Sequence, residues 1–172
     1  FVRRPTTRMG TVWLLRHAFN RYRSGGSDAA EPLPAEELLV FRAVARGKLP
    51  LRFHARNATD IRTALRLAAE FDDMRWDVVI DEATEGYRVA DALAARRARV
   101  VLGPLYATPR TSMERREGYA ARTTNAAVLH RAGVGIAFRS GGEGDPENFR
   151  TNVGRLVAGG LPHAAAVRAL TL

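Results

Sequence analysis

From residue 50 onward the chain alternates short, β-branched apolar segments with longer amphipathic ones, and this alternation limits its possible folds more than any other feature. The apolar segments are Leu51-Arg52-Phe53-His54, Val78-Val79-Ile80, Val100-Val101-Leu102 and Val134 to Phe138. Each is brief and bounded by Gly, Pro or charged residues, as strands buried in a parallel sheet usually are. Between the first two, Asp60 to Phe71 sets Ile61, Leu65 and Ala68 at helical spacing, with Asn57, Thr59 or Asp60 placed to cap its start. Tyr87, Ala90 and Leu93-Ala94 repeat that period before the third segment. Thr124 to Arg131 does so before the fourth, with Gly133 as a stop. Helices from Pro146 to Ala158 and after Pro162 follow.

Successive right-handed β-loop-α units of this length build either a doubly wound sheet or part of a (β/α)8 TIM barrel. A whole barrel needs roughly 250 residues. The chain has 172, so four units with flanking helices look like about half of one. The expected layout is a single fragment: a helical lead-in over 1–47, then four βα units over 48–172. The lead-in has helix candidates at Val12 to Tyr22 and Pro34 to Arg46, separated by Ser24-Gly25-Gly26-Ser27. An insertion at Ala107 to Tyr119 and a Gly-rich loop at Ser140 to Asp145 interrupt the repeat. A half barrel leaves two sheet edges with unpaired N–H and C=O groups, so the remaining half is an expected partner. The chain starts at Phe1 and carries no basic-then-apolar leader, which reads as a piece of a longer protein of undetermined localisation.

Composition removes several classes of function. No cysteine is present, which excludes disulfide scaffolds, thiolate metal sites and cysteine nucleophiles. No apolar run approaches the roughly 18 residues of a membrane helix, so no span is expected. The net charge of +9 invites a nucleic-acid reading. However, Arg3-Arg4, Arg96-Arg97 and Arg115-Arg116 are isolated doublets without interleaved aromatics, and Lys48 is the sole lysine among 27 basic residues. Such scattering does not make a nucleic-acid track.

In parallel α/β folds the working residues lie at the carboxyl ends of strands. That rule selects His54, then Asp81 and Glu82, then Gly103-Pro104, then Arg139 and Ser140. His17, His130 and His163 fall in or at the start of helices, where a packed or solvated imidazole is expected. Trp13, Trp76 and the phenylalanines read as core or helix packing. Arg139 has two readings: an ion pair with Glu82 or Asp81, or a grip on a substrate carboxylate.

Several stretches carry a family resemblance in order along nearly the whole chain. They are Thr7-Arg8-Met9-Gly10, Leu49 to Arg56 with Asp60-Ile61 and Ala64 to Ala68, Val101 to Leu105, Ala132-Gly133-Val134, Gly160-Leu161-Pro162 and Ala169 to Leu172. Together they resemble the amidohydrolase superfamily, in its imidazolonepropionase-like branch. The resemblance implies the C-terminal half of the barrel of a metal-dependent hydrolase of C–N bonds other than peptide bonds, acting on a small amide-type substrate. It also implies one or two divalent ions (zinc, manganese or iron) held by strand-end residues, with an Asp that takes the proton of the attacking water.

Mapped onto this sequence, His54 falls at the family's fifth-strand histidine and Glu82 at its sixth-strand histidine. The resemblance makes these two the candidate metal ligands, and Arg139, by its own chemistry beside them, is the candidate substrate-binding residue. No catalytic residue is assigned, because Gly141 stands where the family has its Asp. Glu143 or Asp145 could substitute for it. Carboxylates such as Glu82 ligate zinc or manganese, but Arg139 beside them adds a fixed positive charge. Two expectations follow: a hydrolase with an unusual ligand set, or a catalytically inactive paralogue that binds a ligand or assembles a partner without metal.

Overall fold

The computed structural model describes residues 7–25, 34–103, 121–140 and 146–171. They fall into two compact units, one formed by 1–50 with 67–77, the other by 51–66 with 78–172.

The first unit holds helices α1 (Arg8–Arg23) and α2 (Ala35–Ala45). Thr7 caps α1 by accepting from the Gly10 amide at 3.0 Å, and Arg21 and Arg23 sit in its last turn, where a cation is favoured. Its core is aromatic. Phe19, 2% exposed, meets Phe41 edge-on at 5.1 Å, Trp76 edge-on at 4.5 Å and Phe71 at 5.5 Å. Such pairs add specific geometry to a large buried apolar area. Trp76 satisfies its indole N–H on the Phe71 carbonyl at 2.6 Å. Of the two readings for Trp13, core or helix packing, the structure shows the second: it is 58% exposed and stacks on His17, one turn along α1.

The second unit is a parallel sheet in the order β1-β2-β3-β4, with β1 (Leu51–Ala55), β2 (Val78–Glu82), β3 (Arg99–Leu102) and β4 (Gly135–Phe138). Each strand pairs in parallel with the next in sequence. The connecting helices are α3 (Ala58–Ala69), α4 (Ala90–Ala95) after a 3₁₀ turn at Gly86–Arg88, and α5 (Asn125–Arg131). After β4 come α6 (Pro146–Ala158) and α7 (His163–Thr171). This α/β architecture of parallel strands alternating with helices is the one the sequence predicts. The Ala107 to Tyr119 insertion, Pro104, Gly141, Glu143 and Asp145 lie outside the described residues, as do Gly26 and Ser27 of the linker.

Local chemistry explains most element boundaries. Asn57 opens α3 as half of a reciprocal cap: its Oδ1 accepts from the Asp60 amide and its Nδ2 donates to Asp60 Oδ2, both at 2.8 Å. The expected helix around Tyr87 to Ala94 is instead a 3₁₀ turn and a short helix, because Val89 adopts φ −135°, outside the helical region. β2 runs through Asp81 and Glu82, two residues further than its apolar run.

The register places Val78, Ile80, Val100 and Leu102 on the helix-packed side, all buried. On the other face stand Arg52, His54, Val79, Asp81, Arg99 and Val101. Most of the sheet's apolar burial is therefore on one side, with charged residues concentrated on the other. Among the described residues no helix is long and apolar enough to cross a membrane.

Ile80 is fully buried at the centre of this sheet. Replacing it with Ala should destabilise the protein by about 2–5 kcal/mol through lost apolar contact and the cavity left behind. Asn57→Ala should cost only about 1 kcal/mol, the loss of a helix cap. Chemical denaturation of the intact protein measures both.

Candidate functional site

Parallel pairing brings the carboxyl ends of all four strands to one rim, where the side chains that follow each apolar run converge. The centre of that rim is Glu82, whose side chain is 6% exposed. Desolvating a carboxylate is unfavourable unless cations or donors replace the lost water. Here three basic side chains do so. Arg56 spans both oxygens, with Nε on Oε2 and Nη2 3.4 Å from Oε1. Arg139 Nη2 donates to Oε1 at 3.0 Å. His54 Nε2 lies 3.0 Å from the same oxygen.

Burial alone would push the Glu82 carboxyl up. The hydrogen bonds and charge from Arg56 and His54 outweigh it and hold the group below the ordinary carboxylate range. An acceptor-only carboxylate requires N–H donors on every side, so the hydrogen bond from His54 places a proton on Nε2.

Each partner is fixed by its own strand end. Arg56 follows β1 directly, and its carbonyl accepts from the Glu85 amide at 2.8 Å. Arg139 follows β4, continues the ladder by donating its amide to the Leu102 carbonyl at 2.9 Å, and donates Nε to the Gly103 carbonyl at 3.0 Å. Gly103 admits this approach because it has no side chain: a Cβ there would stand 2.2 Å from the Arg139 carbonyl oxygen, and its φ is +142°.

Asp81 belongs to a separate pair. Arg52 grips it with Nε at 3.1 Å and Nη2 at 2.7 Å, the forked geometry that makes Arg–carboxylate pairs strong. Of the two ion pairs open to Arg139 from sequence, the structure holds the one with Glu82. Ser140 is exposed beside it.

The structure thus gathers His54, Glu82 and Arg139 in one cluster. Sequence reading did not single out Arg56, whose position two residues after His54 on a strand is the signal that both side chains emerge on the same face. It also missed the supports behind the cluster, Glu85 and Asn125. The remaining histidines stand elsewhere. His17 lies on α1 and His163 begins α7. His130 lines a hollow of about 320 Å³ with Val134, Ile136, Leu161 and Arg168.

As arranged, the cluster does not fit a divalent ion. His54 Nε2 is directed at Glu82 rather than at an open position, and both Glu82 oxygens face guanidinium groups. Among the described residues no three His, Cys, Asp or Glu side chains group as a metal site would require. Three guanidinium groups (Arg52, Arg56, Arg139) face two carboxylates (Asp81, Glu82), so the positive charge a metal would bring is already supplied by the chain.

No protein-family profile matches the chain, and neither does any curated protein. A solved structure does: an amidohydrolase from Thermotoga maritima MSB8, with 27% sequence identity and a TM-score of 0.78 over 97% of this chain. The chain spans 44% of the length of that protein. The fold is therefore that of an amidohydrolase-like domain.

The lowered pKa of Glu82 gives a pH prediction with a definite sign. A carboxyl whose folded pKa lies below its unfolded value stabilises the fold at pH above the unfolded value, 4.5, and loses that contribution as pH falls through the folded one. Glu82→Gln should therefore be less stable than wild type at pH 7. The gap should narrow as pH drops below about 4.5. Parallel urea titrations across pH 7 to 3 read the difference.

Proposed function

We propose that this chain is part of a (β/α)8 barrel of the imidazolonepropionase-like branch whose strand-end site uses guanidinium charge in place of a divalent ion. In this reading it is a ligand-binding or assembly domain, an inactive relative of the C–N hydrolases. The observation that carries the reading is the closure of Glu82 by Arg56, His54 and Arg139. A dication placed on that carboxylate would stand a few ångströms from two fixed cations. The mutual repulsion amounts to several kcal/mol even at an effective dielectric of about 20.

The same geometry indicates what such a site would accept. His54 is 59% exposed and Arg139 42%, and both present N–H groups at the rim. With Glu82 already engaged, the rim offers mainly donors. That favours an acceptor-rich ligand, such as the carbonyl of a small amide or a carboxylate. The remaining half of the barrel fits as partner because Arg52, His54, Asp81 and Arg99 share one sheet face, and parallel sheets are ordinarily covered on both faces.

A second reading keeps the hydrolase, with His54 and Glu82 as ligands of zinc, manganese or iron and Arg139 on the substrate. It is favoured by the 27% identity to a protein described as an amidohydrolase. It requires Arg56 and Arg139 to leave Glu82, and His54 to give up its Nε2 proton.

Metal content of the intact protein separates the two. After equilibration with zinc, manganese or iron(II) and removal of free ion, the proposal predicts well below one ion per chain and no change on His54→Ala. One tightly held ion per chain, lost in His54→Ala, would overturn it in favour of the hydrolase.

A further inference from the structure

The strand-end cluster depends on a backbone turn that follows β2. Glu82 and Ala83 are consecutive non-glycine residues with φ of 73° and 42°. L-residues avoid this left-handed region, and it persists only where the surroundings over-determine it. Its effect at Glu82 is directional. Strand alternation would send Glu82 to the helix-packed side with Val78 and Ile80, whereas His54 and Arg56 alternate onto the other face. The break from extended geometry occurs at the residue whose carboxylate must reach across to them.

We infer that Asn125 is a positioning residue for this cluster: from the first turn of α5 it clamps the turn after β2, and so holds Glu82 against Arg56, His54 and Arg139. Asn125 is 6% exposed, and among the described residues its side-chain carboxamide bonds to that turn. Its Nδ2 donates to the Ala83 carbonyl at 2.9 Å and to the Thr84 carbonyl at 3.3 Å. Its Oδ1 accepts from the Tyr87 amide at 2.8 Å. One side chain thus engages three successive parts of the turn, and a carboxamide is the group that both donates twice and accepts.

The fit is close. A Cβ added to Gly86 would meet Leu129 Cδ1 at 3.2 Å and Asn125 Oδ1 at 3.3 Å. On its other side the turn is tied to the end of β1. The Ala83 amide donates to the Ala55 carbonyl at 3.0 Å, the Glu85 amide to the Arg56 carbonyl at 2.8 Å, and Glu85 Oε2 accepts from the Ala58 amide at 2.8 Å. Those bonds fix the turn to the strand that carries His54 and Arg56. Asn125 fixes it to α5, so the left-handed pair is held from both sides. The inference goes beyond the proposed function, since it concerns how Glu82 is held and is read on Glu82 itself rather than on metal or ligand.

The test compares Asn125→Ala with Leu129→Ala in the intact protein. Leu129 lies one turn along α5, is fully buried and has an apolar side chain, so its truncation weakens the same helix without removing a hydrogen bond from the turn. Carbon-detected NMR titration of the glutamate carboxyls and amide hydrogen exchange supply the readouts. Asn125→Ala should move the Glu82 titration upward, towards or past the ordinary glutamate range, and speed exchange of the Tyr87 amide by about tenfold or more. Leu129→Ala should leave the Glu82 titration at its wild-type position. An unmoved Glu82 in Asn125→Ala, or an equal movement in both variants, would overturn the inference. Should Asn125→Ala fail to fold, wild-type exchange decides: a Tyr87 amide protected like those of β2 supports the clamp, and one exchanging as freely as an open turn contradicts it.

Discussion

A carboxylate withdrawn from water is tolerated only when other groups take over its hydration, and Glu82 is the residue around which this structure meets that demand. Its side chain lies almost wholly inside the rim, and the four strand ends are arranged so that three basic side chains reach it. Removing any one partner would leave a buried charge short of donors, which is more damaging than never having buried it. The cluster thus couples β1, β2 and β4 at their carboxyl ends, while Gly103 after β3 supplies a carbonyl to Arg139. Ladder hydrogen bonds align the strands. The charge cluster sets what the aligned ends present to a ligand.

At the strand ends of this amidohydrolase-like fold the polar side chains are turned on one another. In a metal site, imidazoles and carboxylates turn their lone pairs towards one cation. Here the carboxylate turns its lone pairs towards guanidinium groups, and the imidazole turns a proton towards the carboxylate. The local charge balance is similar, but the cations are covalently part of the chain. Guanidinium remains charged at any working pH and offers directional forks, so Arg56 and Arg139 hold Glu82 in a defined orientation at the rim. The chain spans 44% of the length of its Thermotoga counterpart, and the ligand proposal concerns the rim that this portion contributes.

Much of the fold was legible because its signals are local. Short runs between Pro, Gly and charged residues mark β1 to β4, with β-branched residues in β2, β3 and β4, and the Asn57 and Asp60 side chains announce the start of α3 three residues apart. The failures were of other kinds. β2 continues through Asp81 and Glu82 because Arg52 and the basic trio compensate their charges, and those partners lie more than twenty residues away in sequence. The apparent helical period across Tyr87 and Ala90 conceals a break at Val89.

At the site, the strand-end rule found His54, Glu82 and Arg139, since it depends only on where apolar runs stop. Arg56 was passed over although its two-residue spacing from His54 places it on the same face, and Asn125 was passed over because its bonds to the turn span about forty residues of sequence. The decisive interaction can be isolated with a double-mutant cycle between Glu82→Gln and Arg56→Gln, measured by urea denaturation at pH 7. The account predicts a favourable coupling of about 1–3 kcal/mol, as expected for a largely desolvated, hydrogen-bonded charge pair. Additive single effects, with coupling indistinguishable from zero, would mean that Glu82 is not held by its basic neighbours and would contradict the account.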